Sequence, residues 1–472
     1  MPVAAIRAGK RSAAIGFKDL TEERKAKERN VNSSDTQKMP TATETGWHAS
    51  RYNIAAPIPG SQMTAIYNTF KRTCGEYTQL EMFLLSVIEE LDENHPIIER
   101  FASRGIIANY DEREAFVLQR GLASATAPDG NVSITICPTL ACNFECPYCF
   151  ATRGRGKMSP EIQADAVALA ARMLDAAHAS KLTITWFGGE PLMATDVIES
   201  LSPRLISLAE ERGCDYKAWI FTNGYLLDED VVDLLLRCRI NRVHIPLDGV
   251  GATNDATRRL VGGGPTYERI MENLGLLKPP IETLIRANTH ASNVGEIDEL
   301  KRAVLARSEE AGTDLGFYAA SLVDVSPADE ADSPMAEFAF HGIEVALRPE
   351  SRHVIVGKDH ACVGQNLWMV AMDDEGYLYK CGGKLCGQRK FAYGTARDWD
   401  PADPLATTSN PDMLSRFLNT AVPSPVDKCY ECAWLPLCGG GCPQLRLFGK
   451  PECPAYRSDP ETFVLAMHAR IV

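Results

Sequence analysis

The sequence predicts an α/β protein: a parallel sheet with crossover helices, preceded by a small module and followed by an irregular, cysteine-rich segment. Three observations predict this. Between about Asn131 and Val323, apolar strand-like runs (VSITI, LTITWF, KAWIFT, VHIPL, TLIRAN, LGFYAA) alternate with amphipathic helical stretches, the pattern of an open sheet or of a barrel. Ahead of them, two hairpin-like runs precede two short helices. Beyond them, from Pro327 to Val472, periodic runs give way to Pro, Gly and Cys.

The 472 residues exceed one ordinary domain, and a chain of this length accommodates about three units. Lys and Arg number 49 against 62 Asp and Glu, a net charge of −13. A protein that grips a phosphate backbone carries a basic face, so nucleic acid is not an expected partner. No apolar run reaches the roughly 18 residues that cross a bilayer, and no apolar stretch follows Arg7, Lys10 and Arg11 as in a secretory signal. No membrane partner is expected, and the expected compartment is the cytoplasm. Fifteen cysteines in a reducing compartment then ask for a reason other than disulfides.

Residues 1–45 are rich in Lys, Glu, Ser and Thr without apolar periodicity, which reads as a disordered tail. Residues 46–125 read as a binding module. SRYNIAAPI and MTAIYNTF flank the turn-forming PGSQ as a hairpin. Thr78 and Glu81 make a capping box for a helix whose inward face is expected to be Leu80, Phe83, Leu84, Val87, Ile88 and Leu91. IIERFASRGII predicts a shorter helix and a strand. Residues 126–326 hold the β/α alternation, in which Ser159-Pro160 is a strong helix start. Residues 327–472 form the last segment, where metal ligation replaces part of a hydrophobic core. Four cysteines lie scattered (Cys74, Cys137, Cys214, Cys238) and are read as buried apolar thiols.

In folds of this kind ligands sit at the carboxyl ends of the strands. The stretch ACNFECPYCF begins just beyond the first strand and places Cys142, Cys146 and Cys149 three and two residues apart. Structural zinc is usually closed by four protein ligands, so three leave it one short. A cubane iron–sulfur cluster takes one thiolate per iron, and three would leave one iron open.

CxxxCxxC with the aromatics Tyr148 and Phe150 resembles the signature of the radical S-adenosylmethionine (SAM) superfamily. That resemblance implies a partial (β/α)6 barrel, a 4Fe-4S cluster on the three cysteines, and SAM chelated to the fourth iron. It further implies cleavage of SAM to a 5'-deoxyadenosyl radical. Gly188, Gly189, Glu190 and Pro191 after the second strand are similar to the family's GGEP motif, which contacts the SAM amino group. Thr222, Asn223 and Gly224 after the third resemble the TNG that lies against SAM. Asp248-Gly249 resembles the ribose-contacting turn, with Pro246 where the family has a serine. Arg286 matches the carboxylate-binding arginine, a role suited to a forked guanidinium, and Leu315–Ala320 stands for the sixth strand.

Towards the C-terminus, Cys362 is followed by thirteen residues, Gly376, four residues and Cys381. Cys429, Cys432, Cys438 and Cys442 follow with intervals of two, five and three, and then Cys453. These spacings resemble the SPASM domain, which implies two auxiliary 4Fe-4S clusters. Cys429, Cys432, Cys438 and Cys453 would ligate the distal one, and Cys362, Cys381 and Cys442 the nearer one. Cys386 lies outside the pattern and is expected to close the nearer cluster. Zinc is the alternative for the whole region.

Together these resemblances imply a peptide maturase that forms an intrapeptide crosslink, thioether first, on a precursor peptide with a leader. An electron donor such as flavodoxin or ferredoxin would serve it. The N-terminal module then reads as a winged-helix-like domain that pairs the leader as an added strand. A sulfatase-type formylglycine-generating or subunit-maturing enzyme is the nearest alternative. Against the former, Gly382 stands where such enzymes place an acidic base, leaving Asp373 or Asp374 to serve. A non-enzymatic iron–sulfur electron carrier would explain the cysteines but not GGEP, TNG and Arg286.

Overall fold

The computed structural model describes residues 46–109, 114, 130–151, 153–322, 364, 366–383, 386–420, 428–449 and 453–471. The expected tail, Cys362 and the two expected boundaries near 125 and 326 lie outside the described residues. The chain forms two compact units, and among described residues the first joins 46–109 and Glu114 to 431–436 and 460–471.

In that first unit, β1 (His48–Ala49) pairs antiparallel with β5 (Ile107–Ala108). An antiparallel sheet is built from β2 (Asn53–Pro57), β3 (Thr64–Asn68) and β4 (Thr73–Tyr77) in the order β2-β3-β4. The β2–β3 hairpin is the one expected from the turn-forming PGSQ.

The capping box also forms: the Glu81 amide donates to the Thr78 hydroxyl at 3.2 Å and the Thr78 amide to Glu81 at 2.8 Å. The helix it starts, Gln79–Ser86, departs in part from the expected face: Ile88 is buried and Leu84 and Leu91 pack against the core as expected, but Glu81 and Leu85 are buried while Leu80 and Phe83 are 66% and 62% exposed. Glu81 also takes an ion pair from Arg100 at 2.9 Å. Turning it inward for both interactions carries Leu85 into the core and Leu80 out of it.

The last helix, Pro460–Ile471, belongs to this unit, although the sequence reading places residues 327–472 together in one irregular cysteine-rich segment. Phe463 packs edge-on to Tyr67 at 5.5 Å, and His468 reaches Glu76 at 2.7 Å.

The second unit is organised by a nine-stranded sheet in the order β11-β10-β9-β8-β7-β6-β12-β13-β14. Its parallel strands are β6 (Asn131–Ile136), β7 (Lys181–Trp186), β8 (Asp215–Phe221), β9 (Ile240–Pro246), β10 (Glu282–Thr289) and β11 (Leu315–Ser321). β12 (Met369–Met372) pairs parallel with β6, and β13 (Tyr377–Tyr379) and β14 (Gly394–Thr395) continue antiparallel.

Crossover helices begin where their caps dictate. Ser159 receives the Ile162 amide ahead of Pro160–Ala177, and Asp228 receives the Val231 amide ahead of Glu229–Arg237. Alternate strand residues such as Ile134, Ile184, Ile220, Val243 and Ile285 enter the main core. The opposite face carries half-buried Thr135, Thr185, Phe221, His244 and Arg286. A sheet wrapped by helices on both sides reads as nearly continuous apolar runs. This face is instead mixed, with polar side chains among the half-buried positions. Among the described residues no helix is long and apolar enough to cross a membrane.

Candidate active site

The cysteine loop leaves the end of β6, and backbone contacts fix it from two sides. On one side it lies against the turn after β7. Gly189 donates to the Thr139 carbonyl at 3.2 Å and Glu190 to the Ala141 carbonyl at 2.8 Å. Gly188 holds φ at +122°, and a Cβ on Gly189 would stand 2.2 Å from the Ala141 oxygen. Glycine is needed here so that two backbones can meet, and what the turn approaches is the cysteine loop itself.

On the other side, Phe144 bridges antiparallel to Leu260. The Glu145 amide donates to Arg259 at 2.8 Å and the Val261 amide to Asn143 at 2.9 Å.

Glu190 is fully buried and joins two of the expected motifs. It accepts from the Thr222 hydroxyl at 2.7 Å, the Asn223 amide at 2.7 Å and the Leu192 amide at 3.0 Å. Burial nevertheless raises its pKa. Asn223 in turn donates to the Asn143 side chain at 2.7 Å, so the turns after β7 and β8 and the cysteine loop form one connected bracket. Pro191 is buried at the start of a short helical turn, Pro191–Ala194.

Tyr148 and Asp248 meet below this bracket. The Tyr148 hydroxyl donates to the Asp248 carboxylate and accepts from Arg258 Nη1 at 2.8 Å. Asp248 also accepts from Thr257 at 3.0 Å and Asn288 at 3.2 Å, which occupies three of its roughly four acceptor positions. Burial raises the Tyr148 pKa well above the usual phenol value.

Sequence reasoning missed Arg258, Asn143, Thr257 and Asn288. Arg258 is buried while adjacent Arg259 is exposed. Nothing in the string TRRL distinguishes the two; only the helical phase of the preceding NDAT, with Asn254 inward, could have pointed to it.

Cys142 and Cys146 are half-buried and Cys149 is exposed. Burial pushes the Cys142 thiol up to about 12 and the Cys146 thiol up to about 11, so thiolates form there when a cation compensates them. Cys142 Sγ accepts the Phe144 amide at 3.4 Å, a contact that favours ligating sulfur.

Among the described residues no three Cys, His, Asp or Glu side chains are grouped for a single ion. A cubane does not require that grouping, because each thiolate meets its own iron. Arg286 Nε is buried without a hydrogen-bond partner. An orphaned guanidinium nitrogen on the interior face fits the carboxylate of SAM. The donor set therefore suits a cubane cluster with SAM.

Of the C-terminal cysteines, Cys381, Cys429, Cys432, Cys438 and Cys442 are half-buried and Cys453 is exposed. Cys381 Sγ accepts the Gly383 amide at 3.4 Å, and Cys453 accepts from Arg457 at 2.6 Å. Cys386 is buried with its sulfur 3.4 Å from that of Cys137, which gives one of the scattered thiols a partner 249 residues away.

Asp373, level with Cys137 beyond β12, accepts from the Tyr379 hydroxyl at 2.7 Å and from the Tyr377 and Glu375 amides. Burial raises its pKa from 3.8 to about 6. Its carboxyl is protonated in the fold and ionised in the unfolded chain between those values. Its contribution to stability is therefore present below pH 3.8 and lost as pH rises to about 6. Asp373→Asn should flatten the stability profile over that window, removing a total change on the order of 3 kcal/mol. Urea unfolding at pH 4, 5 and 6.5 would measure it.

Residues 136–286 match the Radical SAM superfamily. The chain is 22% identical to the Fe-coproporphyrin III synthase of Methanosarcina barkeri over 336 residues, 64% of this chain and 80% of that protein. It is 28% identical to the PqqA peptide cyclase of Gluconobacter oxydans over 188 residues, 40% of this chain and 49% of that protein. The fold is similar to native anSMEcpe with bound AdoMet and Cp18Cys peptide: TM-score 0.53 at 19% identity, covering 72% of this chain and 98% of that one.

Proposed function

This chain is a radical SAM superfamily enzyme, and from that premise we propose that it matures a peptide by forming an intrapeptide crosslink, most readily a thioether. The observation that carries the chemistry is the bracket around the cysteine loop. Three thiols and the GGEP and TNG turns follow strand ends of one sheet, and the orphaned Arg286 nitrogen belongs to a residue within β10 of that sheet. The peptide class is supported by the similarity to a peptide cyclase.

When bound, the cluster and SAM supply hydrogen-atom abstraction from the peptide. Cys142, Cys146 and Cys149 hold the cluster. Arg286 takes the SAM carboxylate. Glu190 would take the amino group, and Asn223 and Asp248 would orient the nucleoside; Glu190 and Asp248 are both buried and each accepts three hydrogen bonds that hold it in place. Tyr148 fixes the loop to Asp248.

In the same reading, Cys429, Cys432, Cys438 and Cys453 ligate one auxiliary 4Fe-4S cluster. Cys362, Cys381 and Cys442 ligate another, with Cys386 as its candidate fourth ligand. An electron donor of the flavodoxin or ferredoxin class reduces the enzyme. In the N-terminal unit β2 and β4 are the sheet edges, and either accepts a leader peptide as an added strand.

A formylglycine reaction would need a base beyond Cys381. Gly382 stands there, and a Cβ on it would lie 3.2 Å from Thr135. Asp373 is already the acceptor of three hydrogen bonds.

Co-expression with each small open reading frame beside the gene, followed by mass spectrometry, tests the proposal. A loss of about two daltons per event with fewer free thiols is the thioether outcome. The same loss with all thiols retained means carbon–carbon joining. SAM consumption with every peptide unchanged, or activity on a sulfatase motif, overturns it.

A further inference from the structure

We propose that Arg258 is a positioning residue of the SAM-cleaving centre: a buried positive charge held against the three-cysteine loop through Tyr148 and Phe144 that raises the reduction potential of the cluster carried by that loop. The inference rests on the reading of that loop as the cluster site, and goes beyond it by assigning a role to a residue in none of the motifs.

Four observations place Arg258 there. Its side chain is 8% exposed, with Nη1 3.9 Å from Asp248 and 2.8 Å from the Tyr148 hydroxyl, between Cys146 and Cys149 in sequence. The residues that follow it, Arg259 to Val261, run antiparallel along Asn143 to Glu145 through one bridge and two backbone hydrogen bonds. Its guanidinium lies 6.0 Å over the Phe144 ring. Its Nε is buried without a hydrogen-bond partner.

The physical consequence concerns electrons. A cubane on three thiolates gains negative charge when an external low-potential donor reduces it by one electron, with no bond made or broken at the arginine. Net charge and hydrogen bonding around a cluster set its potential, and a buried charge is poorly screened by salt. A fixed guanidinium therefore favours the reduced form. Asp248 opposes it in part, so the two residues set the potential with opposite signs.

The test is a redox titration of the reconstituted full-length protein, following by electron paramagnetic resonance the signal that changes when SAM is added. Arg258→Met should lower the equilibrium constant for reduction about tenfold, which for a one-electron couple is about 59 mV. Arg258→Lys should stay within about threefold, because it keeps the charge and loses the fork. Asp248→Asn should move the potential the other way.

If Met and Lys variants shift alike, if Met leaves the potential unchanged, or if Asp248→Asn also lowers it, the proposal is overturned in favour of simple packing. Should Arg258→Met fail to hold iron, the sign of the Asp248→Asn shift decides. A wild-type protein with no SAM-responsive signal would instead refute the cluster reading itself.

Discussion

Replacing Cys142, Cys146 and Cys149 together by alanine is expected to remove about four irons per chain and to reduce 5'-deoxyadenosine formation from SAM to background. The expectation follows from where the loop sits. It leaves the carboxyl end of β6, is tied to the turn after β7 by two backbone hydrogen bonds, and is bridged on its other side to Leu260. None of these ties uses a thiol, so the alanine variant should keep its fold, and any iron held by the C-terminal cysteines as proposed, while losing the reaction. Iron and sulfide analysis, run beside an anaerobic assay for 5'-deoxyadenosine, measures both. Retention of product, or loss of all iron together, would contradict the separation of this centre from the C-terminal cysteines. Because burial pushes Cys142 and Cys146 up to about 12 and about 11, both enter assembly as thiols. Reconstitution should therefore release their protons, and do so less readily at low pH.

The parts of the site that were legible in the sequence share one property: each is a local string whose chemistry is complete within a few residues. ACNFECPYCF, GGEP and TNG announce themselves at strand ends, and the strands are set by alternation over five to eight residues. What was not legible depends on distance along the chain. Cys137 looks like any isolated apolar thiol until the fold brings Cys386 to 3.4 Å. Glu190 is recognisable as part of a motif, but its service to Thr222 and Asn223, about thirty residues on, is visible only once two strands lie side by side. The helix Gln79–Ser86 shows the same limit at short range. Its cap was readable and Leu84, Ile88 and Leu91 do reach the core, yet Leu80 and Phe83 face out while Glu81, paired with Arg100, is buried, which hydrophobic spacing alone does not show. The final helix carries an apolar face that fits several partners, and nothing local tells that it covers the N-terminal sheet.

Gly189→Ala should be nearly as damaging as loss of the cysteines, though it removes no ligand. A Cβ at this position would stand 2.2 Å from the Ala141 oxygen and 2.6 Å from its carbonyl carbon. The obstructing atoms are backbone rather than the end of a flexible side chain, so one of the two segments must move. Forcing extra volume into such a contact costs about 1–3 kcal/mol, occasionally more. The hydrogen bonds from Gly189 and Glu190 to Thr139 and Ala141 are the first to be broken. The functional loss should exceed the loss of stability. The same displacement shifts the loop that carries the cluster relative to Glu190 and Asn223, and a misplacement of about 1 Å costs on the order of 100-fold in rate. Gly295→Ala is the matched control: nothing lies within 4 Å of its Cβ position, and the change is expected to alter stability by less than about 0.5 kcal/mol. Thermal unfolding, iron content and the rate of 5'-deoxyadenosine formation in both variants distinguish the outcomes. Equal behaviour of the two would mean that the turn after β7 has room this structure denies it, and that the bracket does not hold the loop.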